Sequence, residues 1–201
     1  MPIEVDTTER LTQLAEATLR VVEREGIGAI TIRAVAAELG GSTAVVTNYL
    51  ATRSDLLLNV IRHAQRGWRD DMTRAVEGLR GADLVRGLAT WSCTTVGHDH
   101  AVRQLWLDMA AKAENGGAAH AALQEDAREH CEWLREAFEE AGAPDPDVAA
   151  NLLYLTLRGF YFAGVEDPER WSPEHVKELV TRLCDLLLAG APAPRGEQRS
   201  G

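Results

Sequence analysis

Apolar residues recur along this chain at intervals of three and four, not two, and the recurrence breaks at glycines, prolines and small polar residues. Leu11, Leu14, Thr18, Val21 and Val22 fall on one helical face, with Thr7 or Thr8 as cap, Glu9 in the first turn and Gly26 as the end. After a turn at "GIGAI", Thr31 caps a second helix that points Ile32, Val35, Ala36 and Leu39 inward and stops at Gly40-Gly41. Two adjacent glycines supply a left-handed cap and a tight turn, so the next helix leaves at a steep angle. Ser42 is placed to cap that third helix, of seven or eight residues, with Val46 and Leu50 turned inward. A fourth helix is predicted from about Ser54 to Leu79, and five more at about 82–96, 101–114, 118–142, 147–165 and 173–189. The breaks at "GHDH", "NGG", "GAPDPD" and "EDPERWSP" are rich in turn-forming and helix-starting residues. Strand-like alternation is nearly absent, so the chain reads as all-α.

The outer face of the third helix is unusual in its chemistry. Thr43 and Thr47 form one i, i+4 row and Ala44 and Asn48 another. A solvated helix face normally carries Lys, Glu and Arg, which favour helix and solvate well. Small hydroxyl, methyl and amide groups suit the DNA major groove, where methyls meet thymine and Asn both donates to and accepts from adenine. The two short helices and their glycine turn read as a helix-turn-helix, the third helix being the one that reads bases.

Composition constrains this picture without overturning it. The chain has 201 residues, 45% hydrophobic and 26% charged, and a net charge of −10. From Gly26 to Gly67, however, four arginines (Arg33, Arg53, Arg62, Arg66) stand against two acids (Glu38, Asp55), so the segment is locally basic. Cys93, Cys131 and Cys184 lie far apart and in no C-x-x-C pair, and are expected as reduced, buried thiols. No apolar run approaches eighteen residues and the N-terminus has no leader pattern, so a cytoplasmic protein without a membrane span is expected. No catalytic residue, cofactor or metal site is expected: Glu-x-x-His, G-x-S-x-G, G-x-G-x-x-G and phosphate-loop patterns do not occur, and the "HDH" run at 98–100 sits in a turn.

The order of features over residues 10–58 resembles the N-terminal domain of the tetracycline-repressor (TetR) family of transcriptional regulators. The resemblance rests on the helix ending at Gly26, on "TIRAVAAELG", on "GGSTAVVTNYL" and on "ATRSDLL". It implies that Thr43, Ala44, Thr47 and Asn48 approach base edges, with Ser42 at the head of the same helix. Arg33 would reach a base edge or phosphate, Tyr49 would bond a phosphate, and Arg53 would stand where the family usually has a phosphate-binding Lys. The chain departs from the family pattern at Thr47, where an aromatic is common, at Leu50, where Phe is, and at Gly41, where a small apolar residue is. Base preference is therefore not transferable. The short, acidic N-terminal stretch also argues against a minor-groove arm.

The division expected is 1–53 for the helix-turn-helix domain, 54–190 for a helical ligand-binding and dimerisation domain, and 191–201 for a disordered tail. The last two long helices carry apolar residues on two sides, which suits a four-helix bundle across a two-fold axis, as in the family's dimers. Leu152, Leu155, Val176, Leu179, Leu183 and Leu187 are the expected interface residues. All five tryptophans follow residue 67, and Trp91, Trp106 and Phe160 are the candidates for a ligand pocket, by resemblance to the family's inducer cavity. The stretch "RQLWLDMAAKAE" resembles the choline-repressor subgroup, which would imply an aromatic cage for a cation. The implied function is a dimeric repressor, released from a palindromic double-stranded DNA operator by a small-molecule inducer. The alternative is a helical adaptor or ligand-binding protein of the same fold that no longer binds DNA.

Overall fold

The computed structural model describes residues 7–98, 100–112 and 117–190, leaving aside the side chains of 94–98, 100 and 103. The tail at 191–201, residues 1–6 and Asp99 of the "HDH" run, all subjects of sequence expectations, lie outside the described residues. Those described form nine α-helices and one 3-10 turn, with no strand among them. In order these are α1 (Thr7–Glu25), the turn Ile27–Ala29, α2 (Ile32–Glu38), α3 (Thr43–Thr47), α4 (Arg53–Ala75), α5 (Gly81–His98), α6 (His100–Lys112), α7 (Ala118–Glu140), α8 (Pro146–Glu166) and α9 (Pro173–Ala189). The all-α expectation holds.

Several boundaries differ from the periodicity. α3 has five residues, not seven or eight, because Asn48 is already its C-cap and Leu50, though buried, closes a turn by bonding Val46 O at 2.9 Å. α4 stops at Ala75, not Leu79, because the chain turns through Gly78 at φ +76° and Leu79 bonds back to Val76 O. At its other end α4 starts earlier than Ser54. Thr52 and Asp55 form a reciprocal capping box: Asp55 N donates to Thr52 Oγ1 at 3.1 Å, and Thr52 N donates to Asp55 Oδ2 at 2.9 Å.

The chain packs as two compact units, one of Met1–Arg74 with Thr95–Ala127 and one of Ala75–Thr94 with Arg128–Gly201. This grouping follows packing, whereas the division at residues 53 and 54 follows expected roles. In the first unit Leu14, Val35, Val46, Leu56 and Ile61 share one core with Val102, Leu105 and Met109, so α6 is built into the reading head. Polar groups pin its helices. Asn59 Nδ2 donates to Leu11 O at 2.8 Å, and Glu38 accepts from Arg20 and Arg24, each at 2.8 Å, tying α2 to α1. Those bonds, Arg24's first, hold the Glu38 carboxyl below its ordinary range.

In the second unit Leu134, Phe138, Leu153, Leu157, Val180 and Cys184 are buried. The N-caps of α8 and α9 are Asp145, accepting from Val148 N, and Ser172, accepting from His175 N, each followed by a proline at the first helical position. Arg86 of α5 donates to Asp185 of α9 at 2.7 and 2.9 Å. α8 is the one helix among the described residues long and apolar enough to cross a membrane by length and composition, with a hydropathy of 1.2 over its best window.

Candidate nucleic-acid interface

The turn before α3 is built by the end of α2. Gly40 N donates to Ala37 O at 3.0 Å and Gly41 N to Ala36 O at 2.9 Å, the paired bonds of a Schellman cap, which requires Gly40 at φ +66°. Only Gly40 is left-handed. Gly41 contributes by size, since a Cβ there would stand 3.1 Å from Val45 Cγ2. Ser42 follows with extended backbone as the N-cap of α3, but its side chain makes no cap hydrogen bond. Val46 is wholly buried in the core of the head and Leu50 nearly so. With that side fixed, Ser42, Thr43, Ala44, Thr47, Asn48 and Tyr49 all lie on the exposed side.

Most of these polar side chains have no hydrogen-bond partner among the described residues. Four threonines elsewhere in its helices turn their hydroxyls onto the carbonyl four residues back: Thr18 onto Leu14, Thr73 onto Arg69, Thr156 onto Leu152 and Thr181 onto Lys177. Among the described residues, the side chains of Ser42, Thr43, Thr47, Asn48 and Arg33 have no such bond or ion pair. Arg33 is exposed beside them in sequence on α2. The α3 face therefore presents unsatisfied donors, acceptors and methyls on a short, rigidly backed helix, which is what reading base edges requires.

The Arg53 guanidinium donates to Ile27 O at 3.2 Å and stands 4.0 Å from Asp108 Oδ2 of α6, while 40% of its side chain stays accessible. The Thr52–Asp55 box, missed in the sequence although "TRSD" carries its signature, positions this end of α4.

The ligand candidates are divided between the two units. Trp106 packs on the core of the first unit. In the second unit Phe160 is buried at 5% exposure, while Trp91 borders an open cavity of about 510 Å³ where α5 meets α9. That cavity is also lined by Arg86, Thr90, Lys177 and Thr181, none of which hydrophobic patterning singles out. Cys93 and Cys184 are buried and Cys131 is half-buried, all as free thiols; burial pushes Cys93 up to about 11 and Cys184 up to about 12, and raises Cys131 too. Among the described residues no group of three or more His, Cys, Asp or Glu is arranged to hold a metal.

Of the residues expected at a dimer interface, Leu152, Leu155 and Leu179 are exposed, and Leu183 and Leu187 are half-buried. Val176 is corrected: at 4% exposure it packs inside its own unit, because it lies on the side of α9 that faces the core with Val180 and Cys184. Val148, Phe162 and Val165 on α8 and Leu186 on α9, absent from the sequence expectation, are all more than half exposed.

A helix-turn-helix with an exposed row of small polar side chains on its second helix, carried on a chain of further long helices, points to a DNA-binding transcriptional regulator. Known proteins agree with that class. A family model described as "BetI-type transcriptional repressor, C-terminal" matches residues 81–189, more than half of the chain. The protein belongs to the TetR family of transcriptional regulators, with a C-terminal part of the BetI type. It is 25% identical over 194 residues to the HTH-type transcriptional regulator PksA of Bacillus subtilis (strain 168), covering 93% of this chain and 94% of that protein. Its fold is similar to that of a TetR transcription regulator from Haloarcula marismortui, with a TM-score of 0.82 and 18% identity over 90% of this chain and 99% of that one. A transcriptional regulator from Saccharomonospora viridis in complex with choline is likewise similar, with a TM-score of 0.76 and 18% identity over 89% and 96% of the two chains.

Proposed function

We propose that the protein is a dimeric, cytoplasmic repressor that reads a two-fold-symmetric operator through paired α3 helices and leaves it when a small molecule binds. The observation that carries this is the row of exposed, unpartnered groups at Ser42, Thr43, Thr47 and Asn48, set rigidly by Val46 beneath them. Thr43, Ala44, Thr47 and Asn48 meet base edges, while Ser42, Arg33 and Tyr49 meet the backbone and fix register. Arg53 joins them only by sharing its guanidinium with Ile27 O and Asp108, so its contribution to the salt dependence is below a full phosphate contact.

Dimerisation follows from α8. Val148, Leu152, Leu155 and Phe162, with Gly159 between the last two, repeat at intervals of four and three, which is the spacing of a helix–helix seam, and Leu179, Leu183 and Leu186 repeat similarly on α9. The apolar surface of α8 is thus read as a contact with a second copy and not as a membrane span. In this reading residues 1–53 contact DNA and 54–190 bind ligand and dimerise. The choline bound to the Saccharomonospora relative supports a small-molecule effector, with Trp91, Trp106 and Phe160 as candidate contacts. A ligand that binds the DNA-free arrangement of the two heads better than the bound one lowers operator affinity by that difference. No catalytic role is assigned.

The test is selection of a random duplex pool with the purified protein, followed by salt-titrated affinity for enriched and scrambled sequences. A two-fold-symmetric site bound on the order of a thousandfold tighter than the scrambled control is expected. Absence of enrichment by folded, dimeric protein would overturn the reading in favour of a helical adaptor.

A further inference from the structure

The cavity between α5 and α9 has a charge character that the aromatic-cage expectation does not accommodate. Two of the side chains lining it are cationic and none is acidic. They are not equivalent. Arg86 is already engaged: Asp185 takes its Nε and Nη2 and Asp83 its Nη1, the last at 3.1 Å. Lys177, one turn before Thr181 on α9, has no carboxylate within ion-pair distance among the described residues, and only its backbone carbonyl is used, by Thr181 Oγ1 at 2.8 Å. Thr90 of α5, unlike Thr181, has no hydrogen-bond partner for its hydroxyl among the described residues. The indole of Trp91, next to it in sequence, supplies a flat apolar wall.

We propose that this cavity binds a small aromatic monocarboxylate. One uncompensated ammonium matches one negative charge. Lys177 Nζ and Thr90 Oγ1 donate to the carboxylate oxygens, and the ligand's ring lies against Trp91. A volume of about 510 Å³ holds such a molecule with room to spare. A quaternary ammonium ligand is disfavoured here, because the uncompensated Lys177 ammonium repels it and the lining offers no carboxylate to face it. The site thereby names an effector class for the proposed ligand response, and it rests on that reading only for the consequence on DNA, not for binding itself.

The experiment is a titration of the intact protein with benzoate, phenylacetate, neutral benzamide, choline and inorganic phosphate at constant ionic strength, read by tryptophan fluorescence and by calorimetry. It is repeated on Lys177→Met and Thr90→Val, whose helical content is checked by circular dichroism. Saturable binding of benzoate or phenylacetate is expected, at least about tenfold tighter than benzamide and weakened by about tenfold or more in Lys177→Met. Thr90→Val should weaken it severalfold. Equal binding of benzoate and benzamide, no saturable binding of either acid, or acid binding unchanged in Lys177→Met would overturn the proposal. Displacement of the acid by phosphate at similar concentration would overturn the aromatic half of it. DNA affinity measured on Lys177→Met without ligand is expected to be unchanged; a failure of the protein to select any operator would count against the repressor reading while leaving the carboxylate titration interpretable.

Discussion

Val46 is the residue on which the placement of the exposed α3 face depends, and its truncation separates two effects that are usually confounded. α3 is five residues long, too short to persist by its own backbone bonds, so it is held by what it buries. Val46 is completely buried in the head core. Val46→Ala removes two methyl groups, a transfer loss of about 1.6 kcal/mol at about 0.8 kcal/mol per carbon. The cavity left behind adds up to about 1 kcal/mol, depending on how far the core collapses. A total near 2 kcal/mol corresponds to a fall in melting temperature of about 4–8 °C for a chain of this size. Thr47→Ala, one residue along and fully on the exposed side, should leave the melting temperature within about 2 °C, since surface changes away from special features stay within about ±0.5 kcal/mol. It should reduce operator discrimination by about 1–3 kcal/mol for each base edge that Thr47 reads. The assay is a pair of measurements on each variant: thermal unfolding by circular dichroism, and anisotropy binding to operator and to scrambled duplex. If Thr47→Ala destabilises the fold as much as Val46→Ala, or weakens operator and scrambled DNA equally, the assignment of the two faces of α3 is wrong.

Other expectations are independent of that one. Leu155→Glu places a carboxylate in the α8 seam at a residue that is 64% exposed in the protomer, so it should raise the dimer dissociation constant about a hundredfold without loss of helix, as seen by light scattering across a dilution series; a dimer as tight as wild type would exclude this seam. Gly40→Ala forces a side chain to φ +66° and should cost about 1–2 kcal/mol in denaturant unfolding, whereas Gly28→Ala, with open space around it, should not. Maleimide labelling of the folded protein at pH 8 should modify Cys131 well before Cys93 and Cys184, whose thiols are pushed up to about 11 and about 12; peptide mass spectrometry showing Cys184 as fast as Cys131 would contradict their burial. Because the Glu38 carboxyl is held below its ordinary value by Arg24 and Arg20, its stabilising contribution is fully present above about pH 4.3 and is lost as pH falls through the depressed folded value. Glu38→Gln should therefore flatten the acid limb of a melting-temperature profile and leave its shape near neutrality unchanged.

The helices are legible in the sequence because their ends are chemically marked. Thr31, Asp145 and Ser172 cap by side chain, Pro146 and Pro173 sit at first positions, and Gly40 takes the left-handed cap. The proposed base-reading face stands out for a different reason: Thr, Ala and Asn rows are a poor choice for a solvated helix, so their presence is informative. What sequence does not reveal is which side of an apolar helix is covered. Val176 and Leu179 sit three apart on one stripe, yet one is buried and the other exposed, because α9 presents only part of that stripe to its own unit. Periodicity reports a face, not its partner. The surroundings of Arg53 are hidden for a related reason. The resemblance implies a phosphate contact for it, and Asp108, more than fifty residues along the chain, comes within 4.0 Å of its guanidinium, which no local pattern announces. The carboxylate-favouring cavity is hidden in the sequence because Lys177, Thr90 and Arg86 are ordinary surface residues until α5 and α9 are brought together.

The burial of Val102, Leu105 and Met109 in the same core as Leu14, Val35 and Val46 bears on how such regulators can be rewired. A reading head cut out after α4 would expose the apolar groove that α6 fills, so it is not a portable cassette. Exchanging operator specificity between relatives therefore calls either for point grafts onto the outer face of α3, or for transplanting α6 together with α1 to α4. The same packing means that drift in α6 far from any DNA contact is constrained by the head it supports, and that sequences of the two must change in step.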